Sequence, residues 1–238
     1  MYFDQREYDV RFEWGLAGVQ ILAPVSDVVV IVDVLSFTTC VDIVVGNGGF
    51  VLPYRGPTET LAEFAEARGA LYADRKRSGE GAYSLSPASL VTILAGTRLV
   101  LPSPNGSTLS LATEGVPTLA GCLRNARAVA VKAGQLGKRI GVIAAGERWP
   151  DGSLRPSLED LVGAGAILSY LEGRRSPEAE TAVTIFHSAR SNLLDTLLRC
   201  GSGKELVGRG FEPDVHLAAQ INVSRTAPVL VDGVYCDA

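Results

Sequence analysis

Residues 28–34 read VVVIVDV, and no other stretch limits the fold as strongly. Five consecutive β-branched residues favour an extended strand, because two heavy atoms on Cβ restrict χ1 and suit a pleated surface. The run shows no polar–apolar alternation, so both faces of the strand are expected to be buried. Such strands lie inside parallel sheets covered by helices on both sides. One acid, Asp33, sits near the end of the run, and Ser36, Thr38, Thr39 and Cys40 follow it.

The rest of the chain alternates strand and helix patterns, which predicts an α/β layer fold. A helix over Thr38–Val45 ends at Gly46–Gly49, and Phe50–Pro53 is the next strand. Thr58–Arg68 is an amphipathic helix with Leu61, Phe64 and Ala65 on one face. Leu71–Ala73 is a short strand and Arg75–Ser89 an irregular loop. Thr97–Leu101 is a strand, and Leu109–Thr113 begins a helix. Thr118–Ala120 is a short strand, Asn125–Leu136 a helix, and Arg139–Ala145 another buried strand. Helices are predicted over Ser157–Glu172 and Glu178–Cys200, although the TAVTIF segment of the second also fits a strand. Pro213–Gln220 is the last helix and Pro228–Val231 the last strand. Residues 1–238 read as a single unit; if it divides into two subdomains, Arg174–Ala179 is the place.

Composition narrows the function classes. With 47% apolar and 20% charged residues, 238 residues make a globular chain with a sizeable core. A net charge of −4 and the absence of a long basic run argue against nucleic acid as a partner. No apolar run reaches the ~18 residues of a membrane span, and MYFDQREYDVRFEW carries no signal-peptide core. A soluble, cytoplasmic protein is expected, with a homodimer as the default assembly for an α/β enzyme of this size. Cys40, Cys122, Cys200 and Cys236 are far apart, so buried free thiols are expected.

Three predicted strands run into polar loops: DVLSFTTC, LPSPNGST and AGERWPDGSLRPSLED. Ligands of open α/β sheets bind outside the carboxyl ends of strands. If these strands are parallel neighbours, Asp33, Asn105, Glu147, Glu159 and Asp160 face one cavity. Asp33 is then either an acid satisfied by backbone N–H groups or a metal-ligating or nucleophilic carboxylate. Asn105-Gly106-Ser107-Thr108 is either a tight turn or, at a helix start, a cradle for an oxyanion. Ser157 to Asp160 matches a capping box, which leaves Glu159 less well explained. Gly201–Lys204 lacks the spacing of a phosphate-binding P-loop, no Gly-x-Ser-x-Gly elbow is present, and His187 and His216 stand alone.

The order of these motifs resembles the 2-phosphosulfolactate phosphatase (ComB) family. The resemblance rests on DVLSFTT, the Ser84–Pro87 loop, PNGS, CLRNA, AGE with SLEDLVGAGA, and GFEPDV with a later Asn. It covers about Val28 to Val229. It implies a layered α/β/α fold with a mixed, largely parallel sheet. It also implies a Mg²⁺-dependent acid phosphatase that hydrolyses (R)-2-phospho-3-sulfolactate to 3-sulfolactate and phosphate, a step of coenzyme M biosynthesis. Carried over by motif, Asp33, Glu159 and Asp160 are the catalytic and metal-binding acids. Asn105, Gly106 and Asn125 also match the family's motifs and are expected substrate contacts, as are Ser36, Thr38, Thr39 and Ser107 in the same loops. Arg148 is a further expected contact, one of four arginines (Arg124, Arg127, Arg148 and Arg155) that could replace the family's missing one. Two departures stand out. Ser36-Phe37 replaces the family's usual Arg-Ala, and Ser84-Leu85 replaces its usual Gly-Asn. Position 36 therefore bears on the substrate, and two alternatives stand beside the main reading. One is a phosphatase for a different phosphorylated 2-hydroxy acid, the other a non-catalytic binder of an anionic metabolite.

Overall fold

The computed structural model describes residues 2–74 and 83–238. The first half of the chain forms β1 (Val10–Trp14), α1 (Gly15–Leu22), β2 (Val28–Val32), α2 (Phe37–Gly46), β3 (Phe50–Tyr54), α3 (Leu61–Glu66), β4 (Leu71–Tyr72), β5 (Arg98–Pro102) and α4 (Gly106–Ser110). The second half forms β6 (Thr118–Gly121), α5 (Ala126–Leu136), β7 (Ile140–Ala144), β8 (Glu147–Arg148), β9 (Leu154–Arg155), α6 (Leu158–Leu168), α7 (Pro177–Ala189), α8 (Leu193–Arg199), α9 (Gly201–Gly208), α10 (Glu212–Ala218), β10 (Pro228–Val231) and β11 (Val234–Asp237).

All five residues of β2 are buried, as the unbroken β-branched run requires. Burial of each such side chain contributes about 1.5–3 kcal/mol. β2 lies between β7 and β6 and is parallel to both, with Val30 opposite Val142 on one side and Leu119 on the other. Helices α5, α6 and α7 cover one face of this block through Val129, Ala133, Ile167 and Phe186, and α1 covers the other through Val19 and Leu22.

Among the described residues the main sheet has the order β1-β7-β2-β6-β10-β11-β3-β5-β4. It is two parallel blocks, β1-β7-β2-β6 and β3-β5-β4, joined by the antiparallel hairpin β10-β11. The fold is thus α/β with a mixed, largely parallel sheet. The hairpin reverses the nominal direction of β5 relative to β2, so the three loop-bearing strands are not all parallel neighbours. Sheet twist compensates. At roughly 20–25° per neighbouring pair, the steps from β2 to β5 accumulate to more than a right angle. The carboxyl ends of β2 and β5 do meet, where the Gly106 N–H donates to Asp33.

Several local expectations need correction. The expected helix over Glu178–Cys200 is two helices, α7 and α8, separated by a 3-10 turn at Arg190–Asn192. TAVTIF is helical. The helix expected from Leu109 starts at Gly106. Strands β1 and β11 and helix α9 were not anticipated. Of the expected loop Arg75–Ser89, residues 75–82 lie outside the described residues, and Pro87–Leu90 is a 3-10 turn. The segment 174–179 joins α6 to α7, which pack against each other in one apolar cluster. The four cysteines are free, but Cys236 is only half-buried. Among the described residues no helix is long and apolar enough to cross a membrane.

Candidate active site

β2 ends at Val32, and Asp33 leads into α2. Two threonines hold this loop. Thr38 Oγ1 accepts from the Asp33 backbone N–H at 3.0 Å and donates to the Asp33 carbonyl at 2.8 Å. Thr39 Oγ1 donates to the Val34 carbonyl at 2.8 Å. Both hydroxyls are buried and spent on backbone, so these two expected substrate contacts shape the loop instead.

The Asp33 carboxylate is held from two sides. Its Oδ1 accepts from the Phe37 N–H at 3.2 Å, and its Oδ2 from the Gly106 N–H at 2.9 Å. The second bond brings the first residue of α4 onto the end of β2. Gly106 has no alternative at this contact, because a Cβ there would lie 2.2 Å from Phe37 Cδ1. Its N–H is also near Ser103 Oγ, at 3.1 Å. The Gly106 amide therefore orients Asp33 rather than waiting for an oxyanion. The Ser107 hydroxyl is likewise used, donating to the Leu101 carbonyl at 2.8 Å.

Asp160, on the first turn of α6, is a knot. Its Oδ1 accepts from the Val34 N–H at 2.7 Å. Its Oδ2 accepts from the Gly146 N–H at 2.9 Å and from Ser157 Oγ at 2.6 Å. This one carboxylate ties the ends of β2 and β7 to the start of α6. Gly146 adopts φ +68, a left-handed conformation that L side chains resist, and thereby turns its N–H toward Asp160. The Ser157–Asp160 capping box is accordingly altered: Ser157 precedes the helix, but its hydroxyl bonds the acid and not a helix N–H.

Glu159 is buried at 2% exposure, and its Oε2 has no hydrogen-bond partner among the described residues. The Cys200 thiol lies beside it, pushed up to about 12 by burial and by that carboxylate. Glu147, at the start of β8, is half-buried and hydrogen-bonds the Asn105 side chain. The four acids form one electrostatic unit. Burial raises Asp33 to about 7, with Glu147 and then Glu159 adding to the rise against the Phe37 and Gly106 N–H groups. Burial also raises Asp160 well above the ordinary carboxylate value, helped by Asp33 and Glu159. Glu147 is raised by burial first. A cleft of about 220 Å³ opens onto this cluster, with Asp33, Ser36, Asn105 and Glu147 on one wall and Ser202, Glu205 and Arg209 on the other.

This ordered set of loops has counterparts in known proteins. The sequence matches the 2-phosphosulpholactate phosphatase family over residues 20–233. The chain belongs to that family. It is 33% identical over 138 residues to the 2-phosphosulfolactate phosphatase of Methanothermobacter thermautotrophicus, a match covering 58% of each chain. The aligned part thus spans just over half the length of that relative. Longer alignments are found with two proteins named "Probable 2-phosphosulfolactate phosphatase". That of Gloeobacter violaceus is 28% identical, covering 87% of this chain and 92% of the relative. That of Thermotoga maritima is 27% identical, covering 90% and 96%.

Within this 2-phosphosulpholactate phosphatase family member, other expected contacts fall in different places. Ser36 is 2% exposed and lines the cleft. Asn125 is fully buried; its Oδ1 accepts from the Cys122 N–H at 2.8 Å and its Nδ2 donates to the Ala120 carbonyl at 3.2 Å. Its amide stitches the β6–α5 turn. Arg148 is exposed, donates to the Gly152 carbonyl at 3.0 Å, and borders a second cavity of about 200 Å³ behind Asn105 and Glu147. Sequence reasoning missed the far wall. Arg155 reaches Ser202 Oγ at 3.1 Å and ties the β8–β9 hairpin to α9, whose three glycines (Gly201, Gly203 and Gly208) hide its helical pattern.

Among the described residues no three or more His, Cys, Asp or Glu side chains converge as a ready-made metal site. The donor set nevertheless suits a hard cation. Glu159 has a buried oxygen without a partner, and the neighbouring acids repel one another until positive charge is added. Asp160 suits it less, since both its oxygens already serve the knot.

Proposed function

We propose that the acidic cleft hydrolyses a small anionic phosphomonoester with Mg²⁺, and that (R)-2-phospho-3-sulfolactate is the substrate. Membership of the family supports the reaction class. The observation that carries the site is the pair Asp33 and Glu147 lining a cleft, with the buried Glu159 oxygen, unpartnered among the described residues, close behind them.

Glu159 and Glu147 would hold the Mg²⁺, in keeping with its habit of taking one or two carboxylates and leaving room for phosphate and water. Bound there, the ion offsets the charge that builds on the phosphoryl oxygens. Asp33 is oriented by the Phe37 and Gly106 N–H groups so that its carboxylate faces the cleft. A carboxyl raised to about 7 exchanges a proton near neutrality, the property a general base needs. Asp33 thus takes the proton from the attacking water as the new P–O bond forms and the ester P–O bond breaks, and the departing ester oxygen takes a proton from solvent water in the cleft. The Asn105 side chain, at the cleft wall beside Glu147, orients the phosphoryl group, and Arg209 at the rim meets the substrate's second acid. Asp160 acts by position, holding three loops in register.

Ser36 supports a second reading. It lines the cleft where a cation would contact an anionic substrate, so a related phosphorylated 2-hydroxy acid is the alternative. Phosphate release from phosphosulfolactate, phospholactate and phosphoglycerate, with and without Mg²⁺, tests both. Faster turnover of phosphosulfolactate supports the first substrate, and faster turnover of another ester the second. No turnover of any of them overturns the enzyme assignment and leaves an anion-binding protein.

A further inference from the structure

A third cavity, larger than the acidic cleft and sharing no lining residue with it, opens between α5, Tyr170 after α6, and segment 222–225. Its volume is about 530 Å³. Arg127, Lys132 and Arg225 line it, and no acidic residue does. Among the described residues none of these three cationic groups makes an ion pair or a side-chain hydrogen bond. That is unlike Arg139, Arg199 and Arg209, which each rest against a carboxylate on the same chain. Three unpaired cations in one concavity repel one another, and on a chain of net charge −4 they make a local reversal of sign.

The wall behind them is built. The Arg127 N–H donates to Asn222 Oδ1 at 2.9 Å, and Asn222 Nδ2 donates to Tyr170 Oη at 2.9 Å. The Asn222 N–H donates to the Leu123 carbonyl at 3.0 Å, and Asn222 itself adopts φ 53. This network pins the cavity floor, so a ligand need not order it. Tyr170 and Val131, 36% and 56% exposed, put apolar surface beside the cations.

We infer that this cavity is a binding site for a small organic polyanion, one with two or more phosphate or carboxylate groups on a compact carbon skeleton. Guanidinium groups pair such oxygens two at a time, and Lys132 adds a point charge. Tyr170 and Val131 take the skeleton. Cavities of this volume fit molecules of metabolite size. A nucleic acid is the poorer occupant, because the cations are gathered in a hollow and not drawn out along a stripe.

Titration of the ¹⁵N-labelled full chain with inorganic pyrophosphate tests the site. The expected result is saturable shifts of the amides in 127–135 and 222–225. In the R127A/R225A variant the affinity falls about tenfold or more, as expected when two charge-assisted contacts are lost. The R190A/R199A variant carries the same change of charge on exposed residues elsewhere and retains wild-type affinity. Amide spectra of both variants report whether they fold. Absence of saturable shifts at these amides, or equal weakening in both variants, overturns the inference. So does a single-stranded oligonucleotide that shifts the same amides and binds more tightly as its length grows.

Discussion

The block β1-β7-β2-β6 has two edges, and they treat charge in opposite ways. At the amino edge, charges of opposite sign meet. Asp27 accepts from the Arg139 guanidinium at 2.5 and 3.0 Å and from the backbone N–H groups of Lys138 and Arg139 at 3.1 and 2.8 Å. The Arg139 side chain is the main reason its carboxyl falls to about 2. At the carboxyl edge, charges of one sign are gathered: Asp33, Glu147 and Asp160 are all raised, chiefly by burial. The amino edge adds stability at neutral pH. At the carboxyl edge the gathered charges cost stability at neutral pH, a pattern common at functional sites.

The largest expected effect separates Asp33 from this ledger of stability. Asp33→Asn lowers Mg²⁺-dependent phosphate release by on the order of 10²–10⁴-fold. The variant still folds, because the loss of a repelling carboxylate offsets the one backbone N–H that the amide nitrogen can no longer accept from. Activity close to wild type would remove Asp33 from the mechanism. Asp160→Ala behaves in the opposite sense. It strands two buried N–H groups and a hydroxyl, and urea unfolding should show a loss of about 3 kcal/mol or more. A stable but inactive D160A protein would instead make Asp160 part of the chemistry.

The pH dependence of the two edges follows from the signs of their shifts. Asp33 binds its proton more tightly folded than unfolded, so its contribution is fully present below 3.8 and is lost as pH rises toward about 7. Metal-free protein should therefore lose several degrees of thermal midpoint across that window, and Mg²⁺ should restore more above pH ~7 than near pH ~5. A flat profile, or equal Mg²⁺ stabilisation at both, would remove the coupling of the cation to this cluster.

Arg11 sharpens the comparison from the other side. It is 1% exposed, donates from Nη2 to the Val25 carbonyl at 3.0 Å, and leaves Nε and Nη1 without partners among the described residues. A buried cation so poorly compensated is costly, so Arg11→Met should be neutral or stabilising by up to about 1–4 kcal/mol in urea unfolding. The smallest effect belongs to Asp27→Asn, a slightly lower urea midpoint at neutral pH. Because the Asp27 carboxyl is depressed, the gap to wild type should close as pH falls from 3.8 to about 2.

Some of this was legible from residues alone, and the misses have physical causes. The β2 run and its acid stood out because β-branched residues carry their preference locally. Strand β11 is signalled in the sequence by the turn Asp232-Gly233 between two apolar stretches. β1 hid because Arg11 and Glu13 break its apolar character, and only its register against β7 makes it a strand. The start of α4 was placed three residues late because Gly106 is fixed by Asp33 and Phe37, not by helical periodicity. The three strand-end loops do meet, by a route that was not foreseen.

The sequence by itself determined the kind of fold, the central strand, the acids at its end and the family. Those depend on side-chain shape, on short-range pattern and on the order of motifs along the chain. Tertiary structure alone decided what each acid touches. Gly106 lies 73 residues from Asp33, and Asp160 lies 126 residues from Val34. Contacts over such separations are set by strand order, by the reversal at the β10–β11 hairpin and by the twist accumulated across the sheet, none of which a local pattern encodes. Asp160 and Glu159 are neighbours on one helix, yet the fold spends one on holding loops together and leaves the other with an oxygen that has no partner among the described residues.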